Sequence, residues 1–227
     1  MDVRFQTDSQ ISFAGRTLGD IARTLPGATA VFRRHKLDFC CGGEVSLTEA
    51  AAAKALSLAE IEAELTAIAT ACGPVETPLT TSDLIDHIET RYHAVHRREL
   101  PELVRLARRV EAVHKDKPDV PQGLADLLAR IAVELDSHMQ KEEVILFPLM
   151  RNGGGPMIGG PISVMLAEHE DHGANLRRLE ALTNNFEPPE GACTTWRALY
   201  AGVRKFVDDV MEHIHTENNI LFPRFAQ

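Results

Sequence analysis

Apolar residues return along most of this chain at alternating steps of three and four, the spacing of one face of an α-helix. They rarely return at the step of two that a half-buried strand requires. In the second half, Leu124, Leu128, Ile131 and Leu135 form one such seam, and Leu199, Val203, Phe206 and Val210 form another. The pattern predicts an all-α fold. Four long helical segments are expected near 82–114, 122–151, 161–186 and 194–222, separated by Lys117-Pro118, Gly153-Gly154-Gly155-Pro156 and Pro188-Pro189. Four helices with short connections predict an up-down four-helix bundle. Pro101 falls inside the first segment, where its missing N–H is expected to kink or split the helix. Ahead of the bundle, residues 17 to 72 read as several short helices, with Thr17 and Ser57 as N-caps and an end at Cys72-Gly73-Pro74. The expected organisation is a small N-terminal helical domain over 1–73, a linker over 74–80 and the bundle over 81–227.

The two seams do not stay apolar. The first continues in phase through His138, Glu142, Ile145 and Leu149, and the other through His213, Glu217 and Ile220. Burying an unpaired carboxylate costs several kcal/mol, so such positions persist only with a compensating partner. A metal ion accepts both imidazole and carboxylate, and residues four apart lie about 6 Å apart along one helix face, close enough to share it. The first helix offers His93 and His96 ahead of Leu100 and Leu103, and the third offers His169 and His172 between Met165 and Leu176. One His from each completes four His and two Glu, enough for two metals bridged by two carboxylates. Spacing alone leaves open which His of each pair takes part. Mixed imidazole and carboxylate ligation suits Fe, Mn or Zn, and the lack of thiolates argues against a structural zinc site. His35, His87, His114 and His215 are expected at the surface or behind the ligands.

An internal repeat supports the symmetry. The stretch from His138 to Pro148 is echoed from His213 to Pro223, each with His, then Glu four residues on, then Ile-Leu-Phe-Pro. His93 and His169 stand 45 and 44 residues upstream of the two copies. The bundle therefore reads as two helix hairpins related by a pseudo-two-fold.

Composition narrows the partners. Lys+Arg 24 against Asp+Glu 33 leaves a net charge of -9, which disfavours nucleic acid and anionic membrane surfaces. No apolar run approaches the roughly 20 residues that span a bilayer. The opening MDVRFQTDSQISFAG lacks a secretory pattern, so a cytoplasmic location with reduced cysteines is expected. Cys40 and Cys41 are adjacent, which disfavours a disulfide between them, and they lack the two-residue gap of a zinc motif. Taken alone they read equally as buried small hydrophobes or as a pair exposed by Gly42-Gly43. Cys72 and Cys193 read as packing residues.

Several motifs together resemble a known family: Asp38-Phe39-Cys40-Cys41-Gly42-Gly43, Arg91-Tyr92-His93, Ser137-His138-Met139 with Lys141-Glu142-Glu143, Glu168-His169, and His213 with Glu217 before Asn218-Asn219. The bundle resembles the hemerythrin-like superfamily. From Thr17 to its end, the chain is similar to the repair-of-iron-centres family of bacterial di-iron proteins. That resemblance implies a non-haem di-iron centre, oxo- and carboxylate-bridged, with His93, His138, Glu142, His169, His213 and Glu217 as ligands. It also implies iron or electron transfer at Cys40 and Cys41. The implied function is repair of iron-sulfur clusters damaged by nitrosative or oxidative stress, with the centre as iron donor. The implied partners are damaged iron-sulfur proteins, with nitric oxide or dioxygen as small ligands and a monomer or homodimer as the working form. The alternatives are a di-iron nitric oxide or peroxide reductase, whose electrons come from a partner protein, and a module that holds a diatomic gas. Oxygen-carrying hemerythrins place a further His one turn after the third-helix ligand. Here Gly173 stands at that position, which disfavours reversible oxygen carriage and favours iron that can be donated or can react.

Overall fold

The computed structural model describes residues 12–71 and 79–225. Most of the expected linker, together with Cys72, lies outside the described residues. The chain divides into two compact units, Met1–Glu76 and Thr77–Gln227. Among the described residues there is no strand, and Thr17 and Ser46 make an isolated bridge.

The first unit holds four short helices: Leu18–Thr24, Ala28–Arg34, Leu47–Ala53 and Leu58–Ala71. Thr17 caps the first by accepting the Asp20 amide at 3.2 Å, and Ser57 lies 3.4 Å from the Glu60 amide at the start of the fourth. Ser46 and Glu49 close a capping box on the third. Phe13, Ile21, Phe32, Phe39, Ile61 and Leu65 are buried together as its core. Single helices of seven residues are far too short to persist alone, so this packing is what holds them.

The second unit is the four-helix bundle. Its first helix runs through Thr81–His87, a π-helical turn Ile88–His93 and Ala94–Val113. The second runs through Leu124–Lys141, a π-helical turn Glu142–Leu146 and Phe147–Arg151. The third is Gly159–Leu182. The fourth is Thr194–Thr216, continued by a π-helical turn Glu217–Leu221 and a 3-10 turn Phe222–Phe225. The first and third helices each pack against the second and fourth, closing the ring. Pro101 does not split its helix. It sits on the exposed side, where water can serve the carbonyl that its missing N–H leaves behind.

The π turns correct the expected seams. One extra residue in a turn rotates everything beyond it by about 100° relative to a continuous α-helix. Ile145 and Leu149, expected in the core, are therefore 52% and 40% exposed, while Leu146, Phe147 and Met150 are buried in their place. In the fourth helix Leu221 and Phe222 are buried and Ile220 is only partly so. Leu146, Phe147, Met150, Leu221 and Phe222 join Leu84, Ile85, Ile88, Tyr92, Ile158 and Met165 in an apolar plug at one end of the bundle.

Candidate metal centre

The π turns meet where the polar residues interrupt the apolar seams. His93 ends one π turn, while Glu142 and Glu217 begin the other two. His93, His138, Glu142, His169, His213 and Glu217 are all buried. They form two sets of four, His93, Glu142, His213 and Glu217 in one and His138, Glu142, His169 and Glu217 in the other, with ligand atoms within 4.8 Å of one another. Both carboxylates belong to both sets.

The distances fit a cation rather than a hydrogen-bond network. His93 Nε2 lies 3.1 Å from His213 Nε2, and His169 Nε2 lies 3.1 Å from His138 Nε2. Glu142 Oε2 is 3.4 Å from both His93 Nε2 and His138 Nε2. Glu217 is 3.0 Å from His213 through Oε1 and 3.0 Å from His169 through Oε2. An ion with bonds of about 2.1 Å holds neighbouring ligands roughly 3.0 Å apart in an octahedron and about 3.4 Å apart in a tetrahedron. Neither oxygen of Glu142 has a hydrogen-bond partner. Such an orphaned buried carboxylate needs a positive charge beside it.

The opposite edges of the imidazoles show why Nε2 points inward. His93 Nδ1 donates to Glu143 Oε1 at 2.8 Å, His138 Nδ1 to Glu168 Oε2 at 2.8 Å, and His169 Nδ1 to Asn218 Oδ1 at 2.7 Å. A proton fixed on Nδ1 leaves the Nε2 lone pair for a metal. Arg97 holds Glu143 at 2.6 Å, and Lys141 pairs with Glu168. Phe147 stacks on His93 at 5.7 Å and Phe222 on His169 at 5.9 Å. From sequence, Glu143, Glu168 and Asn218 stood out only within the family motifs, and no role was assigned to them or to Phe147 and Phe222, yet the repeat carried a signal: Glu143 and Asn218 each follow their His by five positions, and Phe147 and Phe222 by nine. The symmetry breaks at His213. Tyr92 stands where Glu168 stands in the other hairpin, and its ring stacks on His213 at 5.2 Å while His213 Nδ1 has no hydrogen-bond partner.

His96 and His172 are buried beside the centre but belong to neither set, and their Nε2 atoms face no partner. The structure thus separates the two members of each His-x-x-His pair. His215, expected at the surface or behind the ligands, is buried and takes the Asn219 amide on Nδ1 at 2.9 Å. His87 is exposed, His35 pairs with Glu64 at 2.8 Å, and His114 meets Cys193 at 3.3 Å. Cys193 is exposed and is not a packing residue. Cys40 and Cys41 are in the other unit. Cys40 is only 4% exposed and Cys41 is half-buried, so they are not the exposed pair that Gly42-Gly43 suggested.

Burial sets the electrostatics. It holds His93 and His172 down to about 4, with the charge of His213 adding to the effect at His93 and that of His169 at His172. Burial also lowers His96 and His138 strongly. All four are neutral at pH 7. Burial and the adjacent Glu217 push the Glu142 carboxyl well above its usual range. Glu217 is equally buried, yet His213 and His169 keep it well below that range. Without a cation the pair therefore holds one proton between its two carboxylates, favoured on the Glu142 side. A cleft of about 530 Å³ lined by Glu134, Ser137, Lys141, Glu168, Asp171 and His172 opens at Glu168, the carboxylate that holds His138.

Comparison with known proteins agrees with this picture. Residues 84–225 match the Hemerythrin HHE cation binding domain, and residues 14–69 match a domain of unknown function, DUF542. The chain is 50% identical over 217 residues to the iron-sulfur cluster repair protein YtfE of Citrobacter koseri, covering 94% of this chain and 98% of that one. It is 49% identical to the protein of that name from Dickeya chrysanthemi, covering 93% and 97%. The Escherichia coli O157:H7 protein of that name is 48% identical, with 94% and 98% covered.

Two outcomes are expected of the centre. Glu142→Ala or Glu217→Ala should lower the iron content of purified protein by roughly half or more, because each carboxylate touches both sets. Full occupancy in the double variant, read by metal analysis, would remove them as bridges. The second outcome concerns pH. His93, His96, His138 and His172 titrate lower in the folded than in the unfolded chain, so at these four the unfolded state binds more protons between about 6.5 and 4, against the one proton that Glu142 holds in the folded state. Stability of the chelator-treated protein should be intact above that window and fall on acidification, by up to about 1.4 kcal/mol per pH unit per histidine. An unchanged urea midpoint between pH 7 and pH 5 would contradict this.

Proposed function

We infer that this chain, which belongs to the YtfE family of iron-sulfur cluster repair proteins and carries a hemerythrin HHE cation-binding domain, repairs iron-sulfur clusters with a di-iron centre as its iron store. The observation that carries the reading is the pair of buried four-ligand sets sharing Glu142 and Glu217. In this proposal His93 and His213 would hold one iron and His138 and His169 the other, with Glu142 and Glu217 within reach of both. When bound, the irons supply redox chemistry and a labile metal that a damaged cluster can take up.

The rest of the mechanism belongs to the chain. Glu143, Glu168 and Asn218 keep the imidazole protons on Nδ1, and Phe147 and Phe222 keep the rings from turning. The apolar plug excludes water from one side. The other side meets the cleft at Glu168, whose carboxylate also orients His138, so the route in and the ligand are coupled. Burial beside Glu217 favours the protonated form of Glu142 where no cation is bound, which would lessen the penalty of two buried carboxylates side by side. Two His and two shared Glu per metal, with Gly173 where a further His could stand, suit release better than permanent storage.

The clients are damaged iron-sulfur proteins, and nitric oxide or oxidants are the source of the damage. No helix among the described residues is long and apolar enough to cross a membrane. Cys40, Cys41 and Cys193 are thiols rather than disulfides, which fits a reducing compartment such as the cytoplasm. A [4Fe–4S] hydro-lyase inactivated by nitric oxide tests the reading. Iron-loaded protein mixed with it without oxygen should restore activity with matching loss of iron from the bundle, while the Glu142→Ala, Glu217→Ala double variant restores none. Retained iron with many turnovers of nitric oxide per site would instead identify a reductase.

A further inference from the structure

The loop after Ala28–Arg34 closes on Asp38. Asp38 Oδ1 accepts the amide of Cys41 at 3.0 Å, the amide of Gly42 at 3.2 Å and the thiol of Cys40 at 3.3 Å. The sulfurs of Cys40 and Cys41 lie 3.8 Å apart, well beyond the roughly 2.05 Å of a disulfide. One ligand atom from each of Asp38, Cys40 and Cys41 lies within 4.8 Å of the others. The loop is firmly held. Leu37 and Phe39 are buried on either side of Asp38, and the Gly19 amide donates to the Gly43 carbonyl at 2.8 Å. A Cβ at Gly42 would meet the Asp38 carbonyl oxygen at 2.9 Å, so the closure requires glycine there.

The 3.8 Å between the sulfurs and the 3.3 Å from Cys40 Sγ to Asp38 Oδ1 match two edges of a coordination tetrahedron. An ion with bonds of about 2.3 Å to sulfur and about 2.0 Å to oxygen places two sulfurs roughly 3.8 Å apart and sulfur and oxygen about 3.5 Å apart. We propose that Asp38, Cys40 and Cys41 form a second metal site, a three-ligand cradle for one divalent transition-metal ion with a fourth position left to an outside donor. Two sulfurs select thiophilic ions such as Fe²⁺, Zn²⁺ and Co²⁺ over Mg²⁺ or Ca²⁺. Cys41, burial and the Asp38 charge together keep the Cys40 thiol protonated when no cation is present. Binding breaks two S–H bonds, forms two metal–sulfur bonds and releases two protons to water, with no change of oxidation state. The identity of the cargo rests on the repair reading, in which the ion is Fe²⁺ on its way to a cluster and the fourth position belongs to the client.

Co²⁺ tests the site in the full, iron-loaded chain. The bundle has no thiolate ligands, and in a Cys72→Ser, Cys193→Ser background any thiolate-to-cobalt charge-transfer band in the difference spectrum reports Cys40 and Cys41 alone. One equivalent of Co²⁺ should produce that band together with the visible bands of tetrahedral cobalt. Cys41→Ser, at a half-buried position, should abolish the tetrahedral spectrum. Asp38→Asn keeps the oxygen that receives the two amides and should weaken Co²⁺ binding about tenfold or more. Circular dichroism and unchanged bundle iron verify that each variant is folded. A folded parent protein without the band, or a Cys41→Ser variant with the same spectrum, would overturn the site. A normal cobalt spectrum beside failed cluster repair would overturn the repair reading and leave the site standing.

Discussion

Two carboxylates face each other in the dry interior of a helical bundle, and most of the architecture follows from the charge they need between them. Glu142 and Glu217 are fully buried, and four imidazoles surround them with Nε2 pointing inward. Burial holds His93 and His138 neutral, so these two cannot neutralise the glutamates. Protonation of Glu142 is the fallback of the metal-free protein, and a pair of cations is the arrangement for which the ligands are spaced. Breaking such a buried set from one side leaves an uncompensated charge, which is why its members must come as a group.

The π-helical turns are the backbone's contribution. A continuous α-helix with Glu142 facing the centre would carry Ile145 and Leu149 inward. The extra residue instead turns Leu146, Phe147 and Met150 toward the plug. Phe147 and Phe222 can then reach the ligand histidines of the first and third helices. The hairpins repeat this device, but they differ at Tyr92 and Glu168. A carboxylate behind His138 makes that imidazole a stronger donor, whereas a ring stacked on His213 does not. The two four-residue sets are therefore inequivalent, and Glu168, which backs one of them, also lines a polar cleft.

Much of this could be read from residue spacing. Alternating steps of three and four identified the helices, and polar residues in phase with Leu135 and Val210 marked the centre. The repeat indicated its two-fold symmetry. Three features escaped that reading. The π turns have no hydrophobic signature of their own, so exposure of Ile145 and Leu149 was invisible to a periodicity that assumes 3.6 residues per turn. His96 and His169 looked alike because both lie on the inner face, and only the neighbours of each ring separate a ligand position from a packed imidazole. Burial of Cys40 depends on Asp38 folding back over its own loop, a contact that adjacent cysteines do not announce.

The central claim is that two cations occupy the space between the six buried ligands, sharing both glutamates. Anomalous X-ray diffraction at the iron absorption edge, on crystals of protein purified with its native metal, addresses it directly. Two peaks per bundle are expected, one nearest His93 and His213 and the other nearest His138 and His169, with Glu142 and Glu217 touching both. A single peak, or peaks ligated by His96 or His172, would contradict the account.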